Sequence, residues 1–383
     1  MTTTRTTRRR ATGRTTGAAL GALGATLALA ACSLSSPSPS VTTETTDTPG
    51  STATDGTGTA APASSITLVT HDSFNVSQDV LDAFTAETGI SVTMVAPGDG
   101  GALVNQLVLT KDSPLGDVVF GVDNTFATRA IDEGVFEPYT SAALPASAEQ
   151  YLLGDALTPI DFSDVCLNVD LDWYEENGQT PPATFDDLVL PEYAGQTVVT
   201  NPATSSPGLA LLAATVGAFG EATSDGTGGW IEYWEKLRDN DVLVVDGWSD
   251  AYYVDFSGGG GDGTRPVVLS YASSPPFTVG DDGTARTAAL LDTCFRQVEY
   301  AGVIAGAANP EGARAFIDFM LSPEFQADVP GQMYVYPVDS SVELPADWAR
   351  FAPLAPSPWT VPAEDIAAHR SDWIDLWASK LLG

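Results

Sequence analysis

Between residues 66 and 134 the sequence alternates three times between a short apolar run and an amphipathic stretch, and this rhythm constrains the fold more than any other feature. Residues 66–70 (ITLVT) read as a strand. Ser77 can then cap a helix with Val80, Leu81 and Phe84 on one face, which Gly89 stops. Residues 92–95 form the next strand, a glycine-rich turn at 98–101 follows, and a helix carries Leu103, Leu107 and Val108 inward. Residues 117–122 are a third strand, followed by a helix with Phe126, Ala130 and Ile131 that ends at Gly134. The order β-α-β-α-β-α predicts an α/β protein with a mainly parallel sheet covered by helices on both faces. Polar residues follow each strand, and open sheets of this kind bind ligands at the carboxyl ends of their strands.

The chain has 383 residues and 43% hydrophobic composition, enough for a sizeable core, and its length suits two domains better than one. Past about residue 155 the pattern is less regular. A run at 165–169 containing Cys166 can cross into a second lobe, while Trp173, Tyr174, Phe185 and Leu188 read as core. Residues 197–200 are a strand, and NPATSSPG (201–208) leads into the apolar helix LALLAATVGAF. Three hydroxyls at a helix amino terminus favour a phosphate or another hydrogen-bond acceptor, whereas plain capping explains one serine. Trp230, Tyr233, Trp234 and Leu237 have helical spacing and read as core. Asn309, Pro310 and Glu311 open a helix with Ala313, Phe316, Ile317 and Met320 on one face, residues 322–324 restart a short one, and a last helix after Pro362 buries Ile366, Trp373, Ile374 and Trp377.

The stretch 244–277 gathers aromatic and acidic side chains as if to hold something. An apolar run at 242–245 breaks at Asp246-Gly247, so Trp248, Ser249, Asp250 and Tyr252 fall just past a strand end. A second strand at 267–270 delivers Tyr271, Ser273, Ser274 and Phe277 in the same way. Two strand ends carrying aromatics and hydroxyls, with acids nearby, suit a flat cationic or polar small molecule. Packing between a helix and a sheet is the alternative reading for each aromatic.

Residues 1–32 read as a secretory signal: Arg8, Arg9 and Arg10 precede an Ala/Leu/Gly-rich stretch at 18–31 that is short for a membrane span. Leu29-Ala30-Ala31-Cys32 resembles the lipobox of bacterial lipoproteins, so Cys32 is expected to become a lipidated amino terminus. Residues 33–64 are nearly all Ser, Thr, Pro, Gly, Ala and Asp, with nothing to bury, and read as a disordered tether. Five of the 16 basic residues lie in the signal, leaving 11 against 50 acidic residues in the mature chain. Such a surface repels nucleic acid and anionic headgroups, so no nucleic-acid partner and no membrane contact beyond the lipid anchor are expected. With Cys32 set aside, Cys166 and Cys294 remain in an oxidising compartment, where a disulfide is favoured over two buried thiols.

Chemistry is hard to find. Two histidines, His71 and His369, do not make a zinc site of normal spacing, and neither a G-x-S-x-G elbow nor a Walker A sequence occurs. Residues 258–263 match G-x-G-x-x-G but precede a strand instead of opening a helix, and Asp281-Asp282-Gly283 lacks calcium-loop spacing. No catalytic residue, metal or cofactor is therefore assigned.

THDSF (70–74), GDGGALVNQL (98–107), FGVDN (120–124), NPATSSPGLALL (201–212), GWSDAY (247–252), LSYASSP (269–275) and NPEGARAFIDFMLSPEFQ (309–326), in this order and spacing, resemble the thiamine-binding lipoproteins and periplasmic proteins of ATP-binding-cassette importers. The resemblance spans roughly residues 65–380. It implies a two-lobe type II solute-binding fold with the ligand cleft between lobes: lobe 1 from 65–155 and about 297–345, lobe 2 from 156–296, and the helical segment 346–383 assigned to neither. It implies thiamine or a thiamine phosphate as ligand, a membrane permease with its ATPase as partner, a monomer, and a place on the extracytoplasmic face of the cell membrane. The thiazolium ring would lie between His71 and Phe277, where tyrosines are usual in relatives, and a protonated histidine is a poorer partner for a cation. Asp99, Gly100, Thr204, Ser205, Trp248, Tyr252, Tyr271 and Ser274 match the remaining ligand motifs, with Asp72 and Asp123 beside them. The rival readings are a binding protein for another cationic solute or ferric ion, a thiamine-cleaving enzyme using a cleft cysteine, and a surface adhesion or scaffold role.

Overall fold

The computed structural model describes residues 64–383. The signal, Cys32 and all but the last residue of the tether lie outside the described residues. The first strands form where β-branched and apolar residues run together: β1 (Ser65–Val69), β2 (Ser91–Val95) and β3 (Val118–Asp123). Helices α1 (Gln78–Thr88), α2 (Gly100–Leu109) and α3 (Ala127–Asp132) alternate with them. Gly89 ends α1 in the left-handed conformation, as its position predicts, while Ser77 precedes that helix without a side-chain cap.

The middle of the chain holds β4 (Thr158–Asp170), β5 (Thr197–Thr200), α4 (Ser206–Phe219), α5 (Gly229–Asp239), β6 (Leu243–Val245) and β7 (Val267–Tyr271). Then β8 (Phe295–Ile304) returns, followed by α6 (Pro310–Met320), α7 (Pro323–Met333) and the last helix, α8 (Ala363–Leu381). Among the described residues the main path of the sheet is β2-β1-β3-β8-β4-β7-β5-β6. Short strands at Phe136–Glu137, Thr287–Ala289 and Tyr336–Pro337 pair beside it.

The sheet corrects one expectation. Pairing is parallel at both ends, β2-β1-β3 and β7-β5-β6, but antiparallel through the centre, where β8 meets β3 and β4, and β4 meets β7. The cause is one long strand. β4 has 13 residues; its first part pairs with β8, and its last part, Val165 to Val169, pairs with β7. β4 thus carries the chain from one α/β half into the other and β8 brings it back, which is the crossing that the run around Cys166 predicts.

The core forms two large clusters, one within the first half and one shared by both. Ala313, Phe316, Ile317 and Met320 of α6 pack on Ile66, Leu68, Val118 and Phe120. Complete burial of each large side chain contributes about 1.5–3 kcal/mol. A second cluster joins α2 and α3 to Leu209, Leu212, Trp230, Trp234 and Leu237 of α4 and α5. Helix α8 packs there too: Trp377 meets Trp234 edge-on with ring centroids 5.6 Å apart, Lys380 pairs with Glu235 at 3.0 Å, and buried Arg370 donates to the Thr125 carbonyl at 3.4 Å. Ile366, Trp373 and Trp377 are buried as expected, and Ile374 only partly.

Cys166 of β4 and Cys294, just before β8, are joined by a disulfide and are fully buried. The bond ties the two crossing strands together and closes a loop with a sequence separation of 128 residues. A cross-link of this length stabilises mainly by restricting the unfolded chain. Replacing both cysteines with alanine is expected to lower the unfolding free energy by about 2–5 kcal/mol in denaturant titration, and reduction of the parent protein is expected to do the same.

Candidate ligand-binding site

The carboxyl ends of the parallel strands point into one cavity of about 410 Å³. His71, Asp72, Ser73 and Phe74 follow β1, Asp99 and Gly100 follow β2, and Ser206 begins α4 after β5. Trp248, Ser249 and Tyr253 follow β6, Tyr271 ends β7, Glu299 comes from β8, and Tyr334 caps α7. Every one of these side chains sits where a strand stops or a helix begins or ends, except Glu299, which lies within β8.

Asp99 is the point where the two halves meet. As the residue before α2, it accepts the Gly100 N–H at 2.5 Å. Its Oδ1 also accepts the Ser206 N–H at 3.3 Å, and its Oδ2 accepts the Trp248 N–H at 2.9 Å, both from the other half. Further bonds cross the same seam: Ala102 N–H to the Thr204 carbonyl at 2.9 Å, and Ser73 to Ser249 at 3.1 Å between hydroxyls. A Cβ on Gly100 would collide with the Ser206 hydroxyl, so glycine is required for this close approach. Burial raises the Asp99 carboxyl above its usual range, against the opposing effect of these donors.

One wall is aromatic. Trp248 stacks on Tyr252 with centroids 5.0 Å apart, and Tyr253 and Tyr334 meet it edge-on at 5.5 and 6.2 Å. The Tyr253 and Tyr334 hydroxyls lie 3.2 Å apart. Tyr334 has φ 61°, a conformation uncommon for a side chain of its size, and its carbonyl accepts a bond from Ser273 Oγ. The lining also carries three acidic side chains, Asp72, Asp99 and Glu299. His71 lies between these groups, 3.4 Å from Glu299. Its ring sits against Gly121, which has φ 93° and where any Cβ would strike the imidazole. Burial by itself would lower the His71 pKa, but Glu299, then Asp99 and Asp72, outweigh it and the net shift is upward.

Of the residues singled out in the sequence, His71, Asp72, Asp99, Gly100, Trp248, Ser249 and Tyr271 line the cavity. The others stand around it in supporting positions. Asp123 is fully buried, accepts bonds from Thr125 Oγ1 at 2.8 Å, Phe126 N at 3.0 Å and Gln297 Nε2 at 3.1 Å, and is pushed up to about 6 by burial. Thr204 Oγ1 donates to the Asp246 carbonyl at 2.7 Å, and Ser205 caps α4 by accepting the Gly208 N–H at 3.3 Å. Ser274 bonds Ser270 at 2.7 Å, and Ser270 accepts the Trp248 indole N–H at 3.1 Å. Phe277 is 41% exposed and meets Tyr334 at a tilt of 46°, with centroids 3.8 Å apart. The hydroxyl of the 204–206 cluster that faces the cavity is Ser206, whose Oγ is buried without a partner.

Glu299 and Tyr334 carry the site but are not apparent in the motifs. Glu299 had a detectable signal, a glutamate inside the apolar run FRQVEYAGVI. Tyr334 had none, because only the tertiary fold brings the end of α7 to the cleft. Among the described residues no group of three His, Cys, Asp or Glu side chains converges to hold a metal ion.

Comparison with known proteins agrees with this geometry. Residues 113–360 match the family described as bacterial extracellular solute-binding protein. The chain is 31% identical over 319 residues to the thiamine-binding periplasmic protein of Escherichia coli, spanning 82% of this chain and 92% of that one. It is 30% identical to the protein of the same name from Brucella suis, over 82% and 90% of the two chains. The solved structure of a periplasmic thiamin binding protein superposes with a TM-score of 0.71 at 29% identity, covering 83% of this chain and 96% of that one. A ferric binding protein from Campylobacter jejuni, at 18% identity and a TM-score of 0.64, shares the fold. Two α/β halves joined by crossing strands, with a cavity where their strand ends meet, are the architecture of these proteins, and the chain belongs to the bacterial extracellular solute-binding protein family.

Proposed function

We propose that the protein captures thiamine or a thiamine phosphate between its two lobes and delivers it to the permease of an ATP-binding-cassette importer. The observation that carries this reading is one cavity lined both by an aromatic cluster, Trp248 with Tyr253 and Tyr334, and by the carboxyl groups of Asp72, Asp99 and Glu299. A cationic heteroaromatic ring gains about 0.5–2 kcal/mol from each aromatic face when desolvated, and the carboxylates compensate its charge. The volume lies in the ordinary range for small-molecule sites. The free Ser206 hydroxyl at the start of α4 offers a hydrogen bond to the hydroxyethyl or phosphate end. The relatives bearing the thiamine-binding name support the same ligand.

Delivery follows from position. Lipid on Cys32 and the tether after it would hold a monomer at the outer face of the membrane, and no helix among the described residues is long and apolar enough to cross one. The mature surface, with 11 basic and 50 acidic residues after removal of five of the 16 basic ones, steers cations toward the cleft. The reading as a binder is supported by the binding-protein relatives, and an enzyme using a cleft cysteine is disfavoured because Cys166 and Cys294 are bonded to each other. A ferric-ion reading, which an iron uptake relative at 24% identity brings forward, is the alternative: it would use the Tyr253 and Tyr334 hydroxyls, 3.2 Å apart, with His71 and Glu299, although no group of three His, Cys, Asp or Glu side chains converges among the described residues.

Calorimetric titration of ligand-free protein with thiamine, thiamine phosphate and thiamine diphosphate tests the reading. Submicromolar binding of at least one is expected, and no binding by folded protein would send the search to other cationic heterocycles. Trp248→Ala and Tyr334→Ala are each expected to weaken binding by roughly 2- to 30-fold, the equivalent of one lost aromatic face. Asp99→Asn keeps the shape but weakens two charge-assisted bonds between the halves, and a loss of roughly tenfold in affinity is expected.

A further inference from the structure

Two carboxyl groups lie side by side on the crossing strands. Asp161 of β4 and Glu299 of β8 are register partners in the antiparallel pairing, and the ladder shifts register between Glu299 and Tyr300. A bulge of this kind re-aims a side chain. Glu299 is 6% exposed and lines the cavity. Asp161 is fully buried, neither of its oxygens meets a donor, and the group that faces it is the Glu299 carboxyl. Two buried carboxylates paired across a ladder are strongly disfavoured as a doubly ionised pair when no positive charge is added, which favours one proton held between them.

The surroundings leave that proton without a competitor of fixed charge. Among the described residues the titratable groups bearing on the pair are His71 beyond β1, Asp123 on β3 and Tyr271 on β7, while Asp72 and Asp99 act on His71. The short strand Tyr336–Pro337, which pairs with β4 at Asp161, adds no charge. His71, 3.4 Å from Glu299, is the one cationic candidate among them. Burial, with Glu299 second, drives the Asp161 carboxyl well above its ordinary range.

We propose that Asp161 and Glu299 share one proton beneath the cleft, and that a cationic ligand entering the cavity displaces it, leaving Glu299 as the carboxylate that faces the ligand's positive charge. The exchange is neutral: one positive charge enters, one proton leaves to the solvent, and no bond other than O–H is broken. It keeps the Asp161–Glu299 pair from carrying two charges when the cavity is empty and lets it do so only when a cation is present, which avoids burying two uncompensated carboxylates side by side. The inference rests on the reading of the ligand as a cation such as thiamine. The sign follows from linkage. The ligand-free protein holds the proton at any pH below the raised value, so binding below it must expel the proton and affinity rises with pH.

Titration of the full chain with thiamine in buffers of different ionisation enthalpy counts the protons, and infrared difference spectra of ligand-free wild type against Asp161→Asn report a protonated carboxyl at neutral pH. Release of about one proton per thiamine is expected at neutral pH, with affinity falling about tenfold per pH unit below the apparent pKa of the pair. Asp161→Asn is expected to bind without releasing the proton and with a flat pH profile, while Glu299→Gln loses affinity at every pH. Thiamine binding without proton release, or release that persists in Asp161→Asn and vanishes in His71→Gln, overturns the proposal and leaves the thiamine reading standing. Absence of the carboxyl band in wild type overturns it whatever the ligand. A band in a protein that does not bind thiamine overturns the thiamine reading, and the shared proton survives it.

Discussion

The pairing of β4 with β8 is the constraint from which the rest of the structure takes its form. A strand of 13 residues cannot be covered along its whole length by one small half-sheet. It therefore leaves β8 and takes β7 as its partner, and in doing so belongs to both halves of the molecule. The strand ends of both halves open at this crossing, and that is why residues from positions as distant as His71 and Tyr334 line a single cavity. The disulfide between Cys166 and Cys294 fixes the same two strands covalently.

That seam has a particular electrostatic form. One carboxylate accepts backbone N–H groups from the first half, at Gly100, and from the second, at Ser206 and Trp248. Backbone donors at helix starts have no partners within their own helices, so they must find acceptors or water. Asp99 supplies the acceptor only when the halves are together. A ligand that contacts both halves adds to an arrangement that these bonds already preorganise.

The alternation at 66–134 and the strand-end polar residues made the α/β class and the location of the cleft legible, because a 3.6-residue and a 2-residue period leave different marks on sequence. The helix faces of α5 and α6 were equally plain: Trp230, Tyr233, Trp234 and Leu237, and Ala313, Phe316, Ile317 and Met320, are all buried. The antiparallel centre of the sheet was not, since strand direction depends on where β8 returns, a long-range fact that no local pattern encodes. Within the site, residues next to a strand end in sequence were found, such as His71, Asp99, Trp248 and Tyr271. Ser205 and Ser206 could not be told apart, because which hydroxyl caps the helix and which faces the cavity is decided by one residue of helix phase. Tyr334 depended on α7 folding back across the cleft, and its left-handed backbone is a strain that tertiary contacts impose.

Glu299 shows how selectivity arises in such a cleft. A glutamate in a strand buried on both sides is unfavourable unless something offsets it, and here the offset is divided among His71, the Asp161 carboxyl and whatever enters the cavity. An anionic ligand would meet Asp72, Asp99 and Glu299 with nothing but His71 to balance them. A neutral ligand of the same shape could stack on Trp248 and Tyr334 yet would leave the acidic groups as they were. A cation satisfies both sets of groups at once, so the discrimination comes less from added attraction than from the unfavourable state of the carboxyl groups when no positive charge is present.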